Sequence, residues 1–322
     1  MESLSVIVLA LAPVAFVILL GFAAGRFGVI GPDRSSVLAA LALDFCLPAL
    51  LFAATAAMTL PELENWQFFL GVAIGLLSIY VASLTLSLTA FRKSTGASSL
   101  QALNSSFPNM AFMGVPVLTA VIGKSAVLSV VIGNLVSSFV LLPLTLTLLE
   151  SGRSRKTSAD GEKAADGVSG AAMVWKSVLG AIKQPLVWAP LAGIALAALQ
   201  APMPDIATKS LNLIGAATSG VALFALGLVL SGQRLHVGRA ALVNTAFKML
   251  AQPAVMLLLA LLLGVTGVSR REMILLGALP TASMTAMFAV QYDVYVAESD
   301  ATILLSTLLS LATLGLCIAL TA

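Results

Sequence analysis

Long apolar runs separated by short polar breaks dominate the 322-residue chain. A helix needs about 20 consecutive apolar residues to cross the hydrocarbon core of a bilayer. On that ruler ten runs qualify: 4–25, 36–58, 66–90, 98–122, 126–149, 185–201, 206–231, 239–264, 271–292 and 299–321. The runs are continuous rather than alternating, which predicts helices, because a membrane barrel shows short segments of alternating polarity. The first run follows Met1-Glu2, with no basic stretch and no small-residue cleavage pattern before Arg26. It therefore reads as a retained span and not as a signal peptide.

Composition agrees with the pattern. Apolar residues make up 59% of the chain and charged residues 10%, and the mean hydropathy is +1.05. A soluble domain carries roughly a quarter charged residues, since its surface must be wetted. The net charge of +3 is spread between apolar blocks and forms no clustered basic face, which argues against nucleic-acid binding. Cys46 and Cys317 both sit in apolar runs and read as small buried hydrophobes. They offer neither zinc spacing nor a disulfide framework. No metal site and no cofactor are expected.

Lys and Arg collect on the cytoplasmic side of membrane proteins. With the N-terminus outside, the cytoplasmic loops hold Arg26, Arg34, Arg92, Lys93, Arg153, Arg155, Lys156, Lys163, Lys176, Lys183, Arg234 and Arg239. The outer loops then hold only Lys124, Lys209, Arg270 and Arg271. Both termini are accordingly expected outside, in a multi-pass protein of the cell inner membrane. The pair Arg270-Arg271 is the one local argument against that orientation.

The long polar stretch 150–184 divides the chain into a first repeat, 1–149, and a second, 185–322, of five spans each. Its Ser- and Gly-rich core, 151–170, has the composition of a flexible linker. Residues 171–183 fit either a short interfacial helix or a plain connector. An odd number of spans per half forces the halves into opposite orientations. Weak similarity supports a repeat: Leu47-Pro48-Ala49-Leu50-Leu51-Phe52 in span 2 parallels Ser219-Gly220-Val221-Ala222-Leu223-Phe224 in span 7. Pro108 and Pro116 in span 4 are matched by Pro280 in span 9. Proline removes a backbone donor and clashes with the preceding turn. Breaks in corresponding spans of inverted repeats mark transporter sites near the midplane. An all-α integral membrane fold is expected: ten transmembrane helices in two inverted five-helix repeats, with helices 4 and 9 broken and crossing.

The densest polar chemistry lies at Asn104-Ser105-Ser106-Phe107-Pro108-Asn109 and Met113-Gly114-Val115-Pro116. Amides at that depth need partners, which a half-unwound helix and a bound ligand supply. Span 9 answers with Pro280-Thr281-Ala282-Ser283-Met284-Thr285. The bland alternative is close helix packing on small residues. Asn104, Ser105, Asn109, Met113, Gly114, Val115, Pro116, Pro280, Thr281, Ser283 and Thr285 are the candidate substrate-binding residues. Asp44 reads as a carboxylate well inside span 2, where an ionisable group is costly and functional by default. It is the candidate coupling residue, with capping or an ion pair to Arg26 or Lys248 as the alternative. Lys248, deep in span 8, is either a cationic partner for substrate or for Asp44, or a side chain that snorkels to the surface. Asn134, Asn212 and Gln252 are weaker candidates, and His236 reads as a solvated loop residue.

Asn109-x-x-x-Met113-Gly114-Val115-Pro116, Ala278-Leu279-Pro280 followed by Phe288-Ala289 and Tyr292, Leu47-Pro48, and the run 222–227 resemble the auxin efflux carrier family. That family includes bacterial malonate and malate permeases, and the resemblance covers nearly the whole chain. It implies broken, crossing spans 4 and 9, in a fold similar to bile-acid symporters and sodium/proton antiporters. This chain has Thr285 and Gly220 at positions where family members often carry proline. The break in span 9 is therefore expected to rest on Pro280 and its neighbouring hydroxyls.

The expected activity is secondary active transport of a small organic anion, a malonate- or malate-like carboxylate, coupled to H+ or Na+. A homodimer face on one five-span unit is compatible with this. An anion channel, or a carrier for another weak acid such as an indole acid, is the competing reading. No phosphate-binding loop is present for ATP-driven pumping. An enzyme lacks its nucleophile–base pair.

Overall fold

A computed structural model describes residues 2–59, 65–159, 175, 178–233 and 237–321. Among them regular structure is helical throughout, apart from one isolated bridge between Pro108 and Thr281. Six helices are long and apolar enough to cross a membrane: α2 (Ser35–Ala56), α3 (Trp66–Thr89), α6 (Lys124–Gly152), α8 (Asp205–Gly232), α9 (Arg239–Leu262) and α12 (Val296–Thr321). α1 (Glu2–Arg26) precedes them. Shorter apolar helices are α5 (Met110–Val121) and α7 (Pro185–Ala198). α4 (Thr95–Ser106), α10 (Gly267–Ala278) and α11 (Met284–Tyr292) complete the set. The chain is a multi-pass membrane protein.

Two of the expected spans are thus interrupted. In place of 98–122 stand α4 and α5, and in place of 271–292 stand α10 and α11. The span expected to end at residue 149 continues as helix to Ala159. Extending an existing helix adds one bond per residue with no new nucleation cost, so polar composition alone does not stop it. Most of the remaining polar stretch, with Arg234 and His236, lies outside the described residues.

Proline shapes the intact helices too. Widened π turns occupy Leu41–Cys46, Met110–Gly114, Ser137–Leu141 and Phe247–Ala251. Pro48, Pro116, Pro143 and Pro253 each follow two residues after such a turn. A proline ring collides with the carbonyl four residues back and offers that carbonyl no N–H. A wider turn relieves both problems without ending the helix. The turn carrying Lys248 is one of these.

Glycines set the packing. A Cβ on Gly21 or Gly227 would sit 2.1 Å from a backbone carbonyl oxygen of the partner helix, so α1 and α8 touch backbone to backbone. A Cβ on Gly193 of α7 would lie 2.1 Å from Thr55 Oγ1 and 2.7 Å from the Phe52 carbonyl oxygen of α2. Without a hydrophobic drive between helices in lipid, such close approach supplies the association energy. α1, α2, α7 and α8 form one group by these contacts. The other packs α3, α4, α6, α9, α10 and α12 around the two breaks. Each group draws helices from both halves of the sequence.

Candidate substrate site at the helix crossing

The two breaks share one local cause. Phe107 precedes Pro108 and Leu279 precedes Pro280, and both are extended, at φ −86, ψ 105 and φ −61, ψ 147. A residue before proline is pushed out of the helical region by the proline ring. The two extended segments then pair with each other. Asn109 N–H donates to the Pro280 carbonyl at 2.8 Å, and Ala282 N–H donates to the Phe107 carbonyl at 2.9 Å. Four helix ends therefore meet: the C-termini of α4 and α10 and the N-termini of α5 and α11.

The C-terminal ends each receive a side-chain donor. Gln252 Nε2 donates to the Ser106 carbonyl at 2.7 Å, and Lys248 Nζ donates to the Gly277 carbonyl at 3.0 Å. Lys248 also donates to Gln252 Oε1, so one turn of α9 serves both. Each donor meets a carbonyl that the end of its helix leaves without an intrahelical partner. Lys248 is fully buried, which removes the snorkelling alternative. No carboxylate among the described residues pairs with it.

Hydroxyls and one amide tie the rest of the crossing together. Thr281 Oγ1 donates to the Asn104 carbonyl at 2.8 Å, and Ser306 Oγ accepts the Thr281 N–H at 3.1 Å. Asn104 accepts from Thr285 Oγ1 at 2.9 Å and donates to Ser299 Oγ at 2.9 Å. Thr285 thus supplies a hydrogen bond where a proline was expected by resemblance. Ser105 bridges Ser83 and Asn244, at 2.9 and 3.3 Å.

The N-terminal ends are left open. Asn109 Oδ1 accepts the Phe112 N–H at 3.2 Å, the usual cap of a helix start. Its Nδ2 is buried with no partner, and Ser283 Oγ is likewise unpartnered. Both residues line a cavity of about 430 Å³, walled by Phe107–Phe112 and by Ser35, Ser36, Met284 and Met287. A second cavity of about 520 Å³ lies toward the opposite end of α2, beside Met58, Thr119, Lys124 and Asn212.

Of the candidates, Asn109 and Ser283 thus face the first cavity, and Val115 faces the second. Asn104, Ser105, Thr281 and Thr285 hold the crossing together, and Pro280 supplies its break. Pro116 follows the π turn, and Met113 is fully buried in packing. A Cβ on Gly114 would lie 3.2 Å from Val130 and 3.5 Å from Leu279, so glycine lets α6 and the break approach.

Asp44 is a correction in placement. It sits on an exposed face of α2, with no ion pair among the described residues, because its helix turns Ala42 and Cys46 inward instead. It meets neither Arg26 nor Lys248. Among the described residues the buried carboxylate is Glu272, 7% exposed, at the start of the run 271–292 and not among the candidates drawn from the sequence. Arg270-Arg271 beside it hid the signal, since a charge run reads as solvated. Ser35 and Ser36 were also missed, at what looked like a helix start. No group of three or more metal-ligating side chains occurs among the described residues.

Comparison with known proteins places these observations. Residues 6–318 match the family model described as "Membrane transport protein". The uncharacterized transporter YfdV of Escherichia coli K12 is 26% identical over 92% of each chain. A putative malonate transporter of Rhizobium meliloti is 26% identical over 83% of this chain and 81% of its own. Auxin efflux carrier component 3a of rice is 30% identical over 43% of this chain and 23% of its own length. The match is to transporters, not enzymes, and implies a small-molecule substrate. The chain belongs to the auxin-efflux-carrier-like family of membrane transport proteins.

Proposed function

We propose that this protein is a secondary carrier for a small carboxylate of the malonate or malate class, coupled to H+ or Na+. It works by alternating access across two inverted five-helix repeats, 1–149 and 185–322, joined by a cytoplasmic linker. The observation that carries the reading is the pair of unpaired donors, Asn109 Nδ2 and Ser283 Oγ, facing one cavity at two helix N-termini. Buried polar groups are normally paired, and helix N-termini attract anions. A carboxylate supplies the missing acceptors. The printed name of the Rhizobium relative supports the same substrate class.

Separate cavities beside Asn109 and beside Thr119 support a carrier over a channel, since the paired breaks line the first and not the second. The charge bias of the loops supports both termini outside an inner membrane. The test is malonate counterflow in proteoliposomes. Saturable exchange is expected, with at least a roughly tenfold loss in Asn109→Ala. Electrodiffusive flux without exchange overturns the carrier reading.

A further inference from the structure

At the outer end of α10, opposite the cytoplasmic linker in the proposed orientation, a polar pocket stands apart from the crossing. Glu272 is buried there, and Ser129 Oγ donates to its Oε2 at 2.7 Å. Asn65, Ser125, Ser129 and Ser269 join Glu272 around a cavity of about 330 Å³. Ser125 and Leu128 also line the larger outer cavity beside Lys124, so the two share a wall.

The charged surroundings of Glu272 are sparse. On its own helix stand Arg270 and Arg271, and on α6 Lys124. Lys248 of α9 is engaged at the other end of α10 by Gly277. Glu298 and Asp300 stand at the start of α12, while α3 and α5 carry no ionisable charge among their helical residues. Among the described residues no Lys or Arg lies within ion-pair distance of Glu272. Glu62 and Glu64 lie outside the described residues.

Burying a carboxylate with one hydroxyl donor and no cation is expensive, and taking up a proton removes that expense. A metal ion is a poorer occupant. The Asn65 carbonyl oxygen is already committed to the Phe68 N–H, and its amide donates to Ser269. The ring of free oxygens that a bare cation needs is therefore not assembled. Ala278 stands six positions after Glu272 along one half-helix. A change of charge at one end thus acts on a rigid element whose other end forms the crossing.

We infer that Glu272 is the proton-carrying group of this transporter. One proton passes from water in the outer cavity to a Glu272 carboxylate oxygen, forming an O–H bond. It returns to water, leaving the carboxylate, when the site opens to the other side. The inference rests on the carboxylate-carrier reading and assigns its coupling ion and the residue that binds it.

The experiment uses the full chain in proteoliposomes, with malonate as the probe, and compares Glu272→Gln with the parent. Two fluxes are read: exchange at equal pH, and net uptake driven by an imposed pH gradient. Glu272→Gln should keep exchange within about twofold and lose gradient-driven uptake at least roughly tenfold. Full gradient-driven uptake in Glu272→Gln, or loss of exchange in a variant that stays monodisperse, overturns the inference. Uptake in the parent that follows a sodium gradient alone overturns it too. If the parent exchanges no malonate, the substrate reading fails by itself. Glu272 is then judged by infrared titration of the purified protein, where a protonated-carboxyl band lost in Glu272→Gln supports it and an unchanged spectrum overturns it. Should Glu272→Gln not fold, Glu272→Asp, which retains a titratable carboxyl, is expected to keep coupled uptake, and uncoupled exchange in it overturns the inference.

Discussion

The four helix ends at the crossing are treated in opposite ways. The carbonyl ends of α4 and α10 receive Gln252 and Lys248 directly. The amide ends of α5 and α11 retain an unused amide hydrogen-bond donor on Asn109 and an unused hydroxyl on Ser283. Breaking a helix inside a membrane frees both kinds of group at equal cost. The carbonyl side is settled permanently by the protein, as a structural joint must be. The amide side is left to be settled by something that comes and goes. The difference separates the residues that build the crossing from those that use it, although both kinds lie within a few positions in sequence.

The largest effect expected from breaking this division falls on the joint. Lys248→Met keeps the volume but deprives the Gly277 carbonyl and Gln252 of their donor. A buried unsatisfied group costs about 1–3 kcal/mol, and both Gly277 and Gln252 lose their partner. The variant should melt several degrees below the parent in detergent, with malonate exchange falling alongside. Removing a buried charge can also stabilise a protein when its desolvation outweighs its contacts. A melting temperature equal to or above that of the parent would show Lys248 to be no structural joint.

The open side should respond in the opposite sense. Asn109→Asp keeps the oxygen that caps Phe112 but replaces the free amide with a second acceptor. At a pH that keeps the new carboxyl protonated, stability should change by no more than about 1 kcal/mol, since the cap survives and no buried charge is added. Malonate exchange should fall ten- to a hundredfold, roughly the worth of a donor to a charged group with added repulsion. Ser283→Ala should cost a few-fold only, because a hydroxyl contributes a weaker bond. Parallel loss of stability and transport in Asn109→Asp would erase the contrast between the two sides.

Much of this geometry was legible in sequence, because proline acts locally. Pro108 and Pro280 break their helices through their own rings and the residues before them, so the position of each break follows from the chain alone. The capping side chains were harder to place. Lys248 and Gln252 lie far from Ser106 and Gly277 along the chain, and only packing of α9 against both half-helices reveals which carbonyls they serve. The burial of Asp44 and Glu272 was hidden for the complementary reason. Depth along an apolar run does not say which way a helical face turns, and Asp44 turned outward. Glu272 stood beside two arginines at the end of a run, yet its own side chain turned inward toward Ser129.

Lys93 offers a milder version of the same contrast, at the other end of α4. Its ammonium lies 4.3 Å from the centre of the Tyr295 ring and 3.9 Å from Glu298. Partial burial pushes the Lys93 ammonium below the ordinary lysine value, while Glu298 opposes that shift. The unfolded chain consequently binds more protons in the alkaline window between the lowered value and the ordinary one. Stability should rise with pH across that window, and the gain should be lost as pH falls through the lowered value. Water reaches this pair, so screening should hold the whole effect within about 1 kcal/mol. Lys93→Met should flatten the alkaline limb of a melting-temperature profile by that small amount and leave malonate exchange intact. An effect as large as that of Lys248→Met would mean that the Thr95 end of α4 is as much a joint as its crossing end.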